Sequence, residues 1–350
     1  MTTSALQREV EHHPPRRAGA PVGRFHSVRG TGAGVAVLLV VTVLVAASGD
    51  PFGASYWLTT LMVVTFAVTW NLIGGLGGQH SFAHPMMFGL GAYAATAMLI
   101  SVPGAPFWVD VLVGAAAATI CSILLTPAFR ARGPYFAILT LAASEGLRVA
   151  GNAFFPGGSS GQYVPIENSP TAQTALYWGI GITAVAIAVH FYFDQRPIGS
   201  ALRMLAIDES AAAAIGVPTT RVKVIAFTAG APMIGAFGAV YVASNTFIDP
   251  DTAFDLNFAV LAVLTTLLGG SGLLWGAVVG AIVWQALAQR IHDSGLPPGL
   301  SIIVNGLVLL LVILFMPQGL VGTAIRWLPE KLQTRLAARP SAWTRKVDAS

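Results

Sequence analysis

The chain has 350 residues, of which 55% are hydrophobic and only 10% are charged, and its mean hydropathy is +0.70. A soluble domain carries about 25% charged residues, because its surface has to be hydrated. Charges this sparse cannot cover a soluble globule, but they fit a protein whose outer surface faces lipid. The 38 glycines agree, since small residues let membrane helices approach closely. The composition therefore predicts an all-α polytopic membrane protein.

The basic residues are confined to a few stretches of the chain. The net charge of +4 and the isoelectric point near 9.5 are also typical of nucleic-acid-binding proteins. However, every Lys and Arg except Arg148 and Arg290 lies in one of four clusters between apolar segments. The clusters cover residues 8–29, 130–132, 196–223 and 326–346. Such an excess is typical of cytoplasmic loops, so it indicates topology, and we expect no nucleic-acid partner.

Ten apolar runs are candidates for membrane-spanning helices. They cover residues 33–48, 54–73, 83–102, 107–128, 134–151, 173–193, 223–245, 257–269, 272–289 and 300–317. A hydrocarbon core of about 30 Å requires about 20 helical residues, and several runs reach that length. From a cytoplasmic N-terminus, ten spans place all four basic clusters inside, whereas nine or eleven would place the last cluster outside. We therefore predict a bundle of about ten transmembrane helices with both termini in the cytoplasm.

Basic tails flank the predicted transmembrane domain, which covers residues 33–322. Residues 1–32 are rich in Pro and Arg and predict a disordered cytoplasmic tail before a retained first helix. A leader of more than 30 residues is long for a signal peptide. Residues 323–350 predict a second cytoplasmic tail, whose basic side chains are expected to contact anionic membrane lipid.

The one long predicted cytoplasmic connection covers residues 194–222. Its Ala-rich part, from Ser200 to Val217, lacks Pro and predicts a helix. Charged residues at 203, 208 and 209 oppose insertion of that helix into the bilayer. Gly216 and Pro218 supply an end to it. We therefore expect one short amphipathic cytoplasmic helix, although an ordinary connecting loop is an alternative.

The chain lacks the motifs of an ATPase or of another enzyme. A phosphate-binding loop ends in Gly-Lys-Ser/Thr, and none of the three lysines, Lys223, Lys331 and Lys346, follows a glycine. His12 and His13 lie in the N-terminal tail and the other histidines are scattered, so no metal-ligand cluster is predicted. We expect no catalytic residue, no metal and no cofactor bound by this chain.

Polar residues within predicted spans are costly and therefore informative. Glu145 and Arg148 lie three residues apart, on one face of the fifth predicted helix, and can pair. The pair either lines a solute path or locks a helix–helix interface, and the second interpretation is favoured. Pro232 predicts a bend in the seventh predicted helix.

A Gly-rich break lies between the second and third predicted spans. Its polar residues are Asn71, Gln79, Ser81 and His84. Irregular backbone at membrane depth is tolerated only where protein or a cavity surrounds it, so a broken helix beside a permeation route is one interpretation. A plain cytoplasmic turn is the other.

Six collinear blocks resemble the signatures of ATP-binding-cassette (ABC) importer permeases for branched-chain amino acids, and in particular the M-type subunit. The first reads NLIGGLGGQHSFAHPMMFGLGAYAA, from Asn71 to Ala95. The others are RGPYFAILTLAASEGLRV (132–149), PGGSSG (156–161), GSALRMLAIDESAAAAIGV (199–217), LGGSGLLWGAVVGA (268–281) and MPQGLVG (316–322). Together they span roughly residues 55–322.

The resemblance implies that the 194–222 loop is a coupling helix that docks on an ATPase subunit. The residues that match this motif are Gly199, Ala201, Leu202, Arg203, Glu209, Ala211, Ala212 and Gly216. Arg203 and Glu209 are expected to be its polar anchors. The implied partners are a second permease subunit, two ATP-hydrolysing subunits that use the ATP, and an extracytoplasmic solute-binding protein. The implied location is a bacterial plasma membrane.

The chain departs from this family pattern at a few positions. Ala206 and Ile207 stand where the docking loop usually has Arg and Asp, and Ser160 replaces an acidic residue. Relatives also carry urea and short amides, so these solutes are alternatives to branched-chain amino acids. An ion-coupled secondary transporter and a membrane scaffold are alternatives from other classes.

Overall fold

The computed structural model describes residues 51–131, 133–165, 169–295 and 319–326, with isolated positions between 297 and 314. The predicted first span at 33–48 and the N-terminal tail at 1–32 lie outside the described residues. So does most of the predicted C-terminal tail. The last predicted span, 300–317, is described only at scattered positions.

Helices make up most of the described chain. They are α1 (Pro51–Trp70), α2 (His84–Ser101), α3 (Phe107–Leu124), α4 (Pro134–Phe154), α5 (Ala172–Gln195), α6 (Pro197–Ile207), α7 (Glu209–Ala214), α8 (Thr219–Asn245), α9 (Pro250–Ala253), α10 (Asn257–Gly269), α11 (Leu274–Asp293) and α12 (Gly319–Arg326). Two short strands, β1 (Gln162–Tyr163) and β2 (Phe247–Ile248), pair antiparallel with Gln162 opposite Ile248. The prediction of an all-α protein is thus confirmed for the described residues apart from this small sheet.

Six helical stretches of the described chain are long and apolar enough to cross a membrane. They are Gly53–Gly75, Phe107–Leu124, Ala172–Gln195, Thr219–Asn245, Pro250–Gly269 and Leu274–Asp293. Helices α2 and α4 also form where spans are predicted, but they are not among these six. Polar residues make them less apolar: His84 begins α2, and α4 contains Glu145 and Arg148. A multi-pass helical protein is confirmed, while the count of ten spans stays a prediction.

Helices α1 and α8 lie at the centre of the bundle. In the most apolar stretch of each helix, 83% of the residues are buried for α1 and 67% for α8. The corresponding share is 33% for α3 and for α11. Glycines permit the tight packing around α8: a Cβ atom on Gly114 of α3 would lie 2.7 Å from the carbonyl oxygen of Gly235. A Cβ on Gly238 would lie 2.7 Å from the backbone nitrogen of Ala92 in α2. Close backbone contact of this kind is typical of membrane helices.

The outer helices expose large apolar side chains. In α3 these are Trp108, Leu112, Ile120, Ile123 and Leu124, and in α4 they include Tyr135 and Ile138. A soluble monomer rarely exposes a contiguous apolar surface of this extent, because water penalises it. The pattern agrees with lipid or a second membrane subunit as the neighbour.

Candidate functional site

The helix break predicted after α1 is present and is buried. Helix α1 passes into a π-helical turn, Asn71–Gly75, which ends with hydrogen bonds from Leu76 N to Asn71 O (2.8 Å) and from Gln79 N to Ile73 O (3.0 Å). An irregular segment, residues 78–83, then leads to α2. The side chains of Asn71, Gln79, Ser81 and His84 are at most 6% exposed. The backbone is therefore irregular where protein surrounds it, the setting in which such breaks are tolerated.

Asn71 connects three parts of the bundle through its side-chain amide. Its Nδ2 donates to Nε2 of His190 in α5 at 2.9 Å and to the carbonyl oxygen of Leu273 at 3.1 Å. Its Oδ1 accepts from the backbone N–H of Gly272 at 2.9 Å. Both amide hydrogens and the amide oxygen are therefore used, in a side chain that is fully buried. We call this cluster the Asn71 node.

Two Gly-rich segments cross beside the Asn71 node. A Cβ atom on Gly75 would lie 2.7 Å from the backbone nitrogen of Gly272, and Gly272 has a φ of +78° that favours glycine. The segment around Gly75 belongs to the first resemblance block and that around Gly272 to the fifth. The structure therefore brings together two motifs that are far apart in the chain.

The irregular segment before α2 contacts α4 through two hydroxyl groups. The backbone N–H of Phe82 donates to Thr140 Oγ1 at 3.0 Å, and Ser144 Oγ donates to the carbonyl oxygen of Phe82 at 2.8 Å. Ser81 accepts from Trp70 Nε1 at 2.9 Å through its carbonyl oxygen. Sequence reasoning did not single out Thr140 and Ser144, although hydroxyls four residues apart on one helix face were a usable signal.

His84 begins α2 inside this packed region. Its Nε2 lies 3.3 Å from Thr69 Oγ1, and its ring packs edge-on against Phe66 with centroids 6.0 Å apart. The predicted set of Asn71, Ser81 and His84 therefore surrounds the end of α1.

The loop predicted as one cytoplasmic helix is two helices. Helices α6 and α7 meet at Asp208, whose Oδ1 accepts from the backbone N–H groups of Ser210 (2.7 Å) and Ala211 (3.0 Å). The prediction of a single helix from 200 to 217 was therefore wrong, because an N-cap interaction of Asp208 starts a new helix. The predicted end is present, since Gly216 follows α7 with a φ of +89°. We call α6 and α7 together the α6–α7 elbow.

The two charged residues expected to anchor an ATPase both contact other parts of this chain. Arg203 donates through Nη2 to Oδ1 of Asp194, at the end of α5, and through Nη1 to the carbonyl oxygen of Gly199 at 3.2 Å. Glu209 Oε1 lies 2.6 Å from Lys223 Nζ, at the start of α8. The Glu209 side chain is only 13% exposed. Both groups therefore hold the α6–α7 elbow on the bundle.

The remaining matched residues divide between a buried and an exposed face of the elbow. Leu202 and Ala212 are at most 2% exposed, and Gly199 is buried, where a Cβ would lie 3.1 Å from Asp194 Cα. Ala211 and Gly216 are exposed. The exposed face also carries Ile207, which is 87% exposed, and Ile215, which is 69% exposed. This face is apolar apart from Asp208 and Ser210, and we call it the elbow face.

The elbow also contacts the Gly-rich segment after α1. A Cβ atom on Gly77 would lie 3.1 Å from Leu202 Cδ2, and one on Gly78 would lie 2.9 Å from Ala206 Cα. Gly78 has a φ of +65°. Only a residue without a Cβ fits both this conformation and this approach. Elbow and helix break are therefore in direct contact.

Glu145 and Arg148 pair as expected and belong to a larger network. Arg148 Nε lies 2.9 Å from Glu145 Oε2, and Arg148 Nη1 lies 2.5 Å from Oδ1 of Asp251 in α9. Asn152 Nδ2 also donates to Asp251 at 3.1 Å. The Arg148 and Glu145 side chains are 34% and 37% exposed in the isolated chain. The network links α4 to α9, and the side chains of Glu145 and Arg148 remain partly exposed.

No group of three or more His, Cys, Asp or Glu side chains is placed to hold a metal ion in the part of the chain that the structure describes. The broken end of α1, the Gly-rich crossing and the α6–α7 elbow define a helical membrane protein built from interrupted spans, a feature of many membrane transporters.

Comparisons with known proteins give the family. A family model described as the permease component of branched-chain amino acid transport systems matches residues 53–313. The high-affinity branched-chain amino acid transport system permease protein LivM of Escherichia coli K12 is 26% identical over 321 residues, covering 81% of this chain and 74% of that relative. LivM of Salmonella typhimurium LT2 is 24% identical, with the same two coverages. LivH of Escherichia coli K12 is 24% identical over 301 residues, covering 79% of this chain and 94% of LivH. The chain belongs to the family of permease components of branched-chain amino acid transport systems.

Proposed function

We propose that this chain is the membrane-spanning permease subunit of an ABC importer and forms part of its path for branched-chain amino acids. The observation that carries the proposal is the contact between the α6–α7 elbow and the broken end of α1. The elbow therefore has an exposed apolar face on one side and contacts the broken end of α1 on the other. Family membership supplies the class of solute.

The elbow face is the proposed docking surface for an ATP-hydrolysing subunit. Ile207 and Ile215 are exposed in a loop that the positive-inside rule assigns to the cytoplasm. Exposed apolar side chains are costly in water, and docking against an apolar groove removes that cost. The family's usual Arg and Asp are absent at 206 and 207, so we expect apolar contacts to dominate this interface.

The proposed assembly contains partners beyond this chain. They are a second permease subunit, two ATP-hydrolysing subunits and an extracytoplasmic solute-binding protein. The ATP is used by the partners, and this chain binds no cofactor. Residues 33–322 are proposed to form the transmembrane domain in a bacterial plasma membrane, with both basic tails on the cytoplasmic side and the C-terminal tail beside anionic lipid.

Movement of the elbow is the proposed link between ATP hydrolysis and transport. Partner closure would displace the elbow, and the glycine contacts at 77 and 78 would pass the displacement to the end of α1. Packed helices respond to such a push by sliding as rigid bodies. The Asn71 node would then be remade as the path alternates between the two sides of the membrane.

Co-purification tests the docking surface. We expect Ile207→Lys to lower recovery of the ATP-hydrolysing partner about tenfold or more, because it places a charge in an apolar interface. The matched control is Phe154→Lys, since Phe154 is 84% exposed at the end of α4, which the topology assigns to the opposite side. Equal recovery of the partner with both variants would refute docking through the elbow face.

A panel of labelled solutes tests the proposed cargo. Purified complex in proteoliposomes, supplied with its solute-binding protein, is offered leucine, isoleucine, valine, urea and a short amide. We expect uptake of the branched-chain amino acids above the others. Preferential uptake of urea or the amide would overturn the assignment of the solute while leaving the permease class intact.

A further inference from the structure

Lys223, at the start of α8, is a buried cation. Its side chain is 1% exposed, and it is among the largest fully buried side chains of the described residues. Lysine is almost never buried without a partner, because its ammonium group loses its hydration. The partner of Lys223 therefore indicates what the residue does.

The partner is a carboxylate from the α6–α7 elbow. Lys223 Nζ lies 2.6 Å from Glu209 Oε1, and Gln79 Nε2 lies 3.5 Å from the other carboxylate oxygen, Glu209 Oε2. Glu209 thus lies between α8 and the Gly-rich segment that follows α1. Of these contacts, the one to Lys223 is short and charge-assisted, and it is firmer than the one to Gln79. We call these three side chains the Lys223 cluster.

Helix α8 can carry movement from this cluster into the bundle. It packs closely on α2 and α3 through Gly235 and Gly238, where the backbones nearly touch. It also contains Pro232, which weakens the helix at its middle and is a place for bending. A displacement applied at Lys223 therefore reaches helix contacts at which the backbones nearly touch.

We propose that Lys223 is a positioning residue for energy coupling. It fixes Glu209, and with it α7, to α8, so that displacement of the α6–α7 elbow moves α8 rather than the elbow alone. The proposal rests on the proposed function, and it gives coupling a second route beside the glycine contacts at 77 and 78. Glu209 then acts within this chain and does not touch the ATP-hydrolysing partner.

The test compares four variants of the assembled importer in proteoliposomes, of which Lys223→Arg is the charge-retaining one. Lys223→Met removes the cation at nearly the same volume, and the double variant Lys223→Met with Glu209→Gln also removes the charge left without its partner. Arg221→Met is the matched control, because Arg221 is an exposed cation one half-turn away on the same helix. The readouts are the recovery of assembled complex, the rate of ATP hydrolysis and the amount of labelled leucine transported per ATP.

We expect the double variant to assemble and to hydrolyse ATP, while leucine transported per ATP falls about tenfold, within the usual range of coupling between sites. A residue that only stabilises the fold would change recovery and leave this ratio alone. Lys223→Arg should keep most of the ratio, since it retains the charge. Arg221→Met should match the wild type.

Three results would overturn the proposal. The first is a wild-type amount of leucine transported per ATP in the double variant, and the second is an equal fall of this ratio in the Arg221→Met control. The third is failure of Lys223→Met and of the double variant to assemble, which would make Lys223 purely structural. Failure of the proposed function looks different, because the wild-type complex itself would then show no ATP-dependent uptake.

Discussion

Asn71→Ala is the sharpest test of the helix break, because one side chain joins three elements there. The substitution removes the hydrogen bonds to His190, to the Leu273 carbonyl and from the Gly272 N–H. The protein stays apolar around the site, so water cannot replace these bonds freely. We expect a measurable loss of folding stability together with reduced transport.

The size of the loss follows from the contacts. Interhelical hydrogen bonds in membranes average about 0.6 kcal/mol each, which gives a loss of about 2 kcal/mol for three bonds. The partly buried N–H of Gly272 also loses its acceptor, at a cost of about 1–3 kcal/mol that raises the upper limit, whereas the Leu273 carbonyl keeps its hydrogen bond from the N–H of Ala277 at 3.1 Å. We therefore expect Asn71→Ala to lower the free energy of unfolding by about 2–4 kcal/mol.

Unfolding of the purified protein in detergent, followed by tryptophan fluorescence against denaturant, measures this loss. Asn245→Ala is the matched control, because Asn245 makes one exposed hydrogen bond to the carbonyl oxygen of Tyr241 at 2.9 Å. The control should stay within about 0.5 kcal/mol of the wild type. A loss for Asn71→Ala no larger than that of the control would refute the structural role of the Asn71 node.

Three further substitutions probe other contacts. Thr140→Val should cost about 1–2 kcal/mol in denaturant unfolding, because the buried Phe82 N–H loses its acceptor. Gly78→Ala should cost about 1–3 kcal/mol in the same measurement, since its φ of +65° is unfavourable for residues with a Cβ and the elbow lies close by. Glu145→Gln should cost less than about 1 kcal/mol and preserve uptake, because the pair is partly exposed and Arg148 keeps a second carboxylate.

Matched controls sharpen these three measurements. Thr59→Val removes an exposed hydroxyl that bonds only within its own helix, so it should be nearly neutral beside Thr140→Val. Gly146→Ala places a methyl group where no atom lies within 4 Å, so it should not destabilise the protein as Gly78→Ala does. Equal effects within either pair would contradict the assigned contact. A loss of more than about 2 kcal/mol for Glu145→Gln would show that the pair is buried in the assembly.

The fold class could be predicted because its causes are spread along the chain. Apolar runs, sparse charges and clustered basic residues are three separate features of the sequence, and each of them predicts a multi-pass helical protein. The split at Asp208 could not be predicted with the same assurance. An Ala-rich stretch favours continuous helix, and the competing N-cap interaction of one carboxylate decides the outcome locally.

The candidate site was predictable only in part, since its contacts join distant segments. The Gly-rich motif indicated a break near Asn71, but nothing in the sequence pairs that residue with Gly272 or His190. The charge of Glu209 indicated a polar anchor, and only the fold shows that its partner is Lys223 of the same chain. Spacing within one helix can be inferred from sequence, whereas contact between helices depends on packing.

The energy source for uptake tests the central claim most directly. The purified complex with its partner subunits and solute-binding protein is reconstituted in proteoliposomes, and entry of labelled leucine is followed with ATP supplied to the hydrolysing subunits. We predict uptake that requires ATP, stops when the partner's ATPase is inactivated and persists when ionophores abolish ion gradients. Uptake that continues without ATP hydrolysis and collapses with the ion gradient would contradict the account.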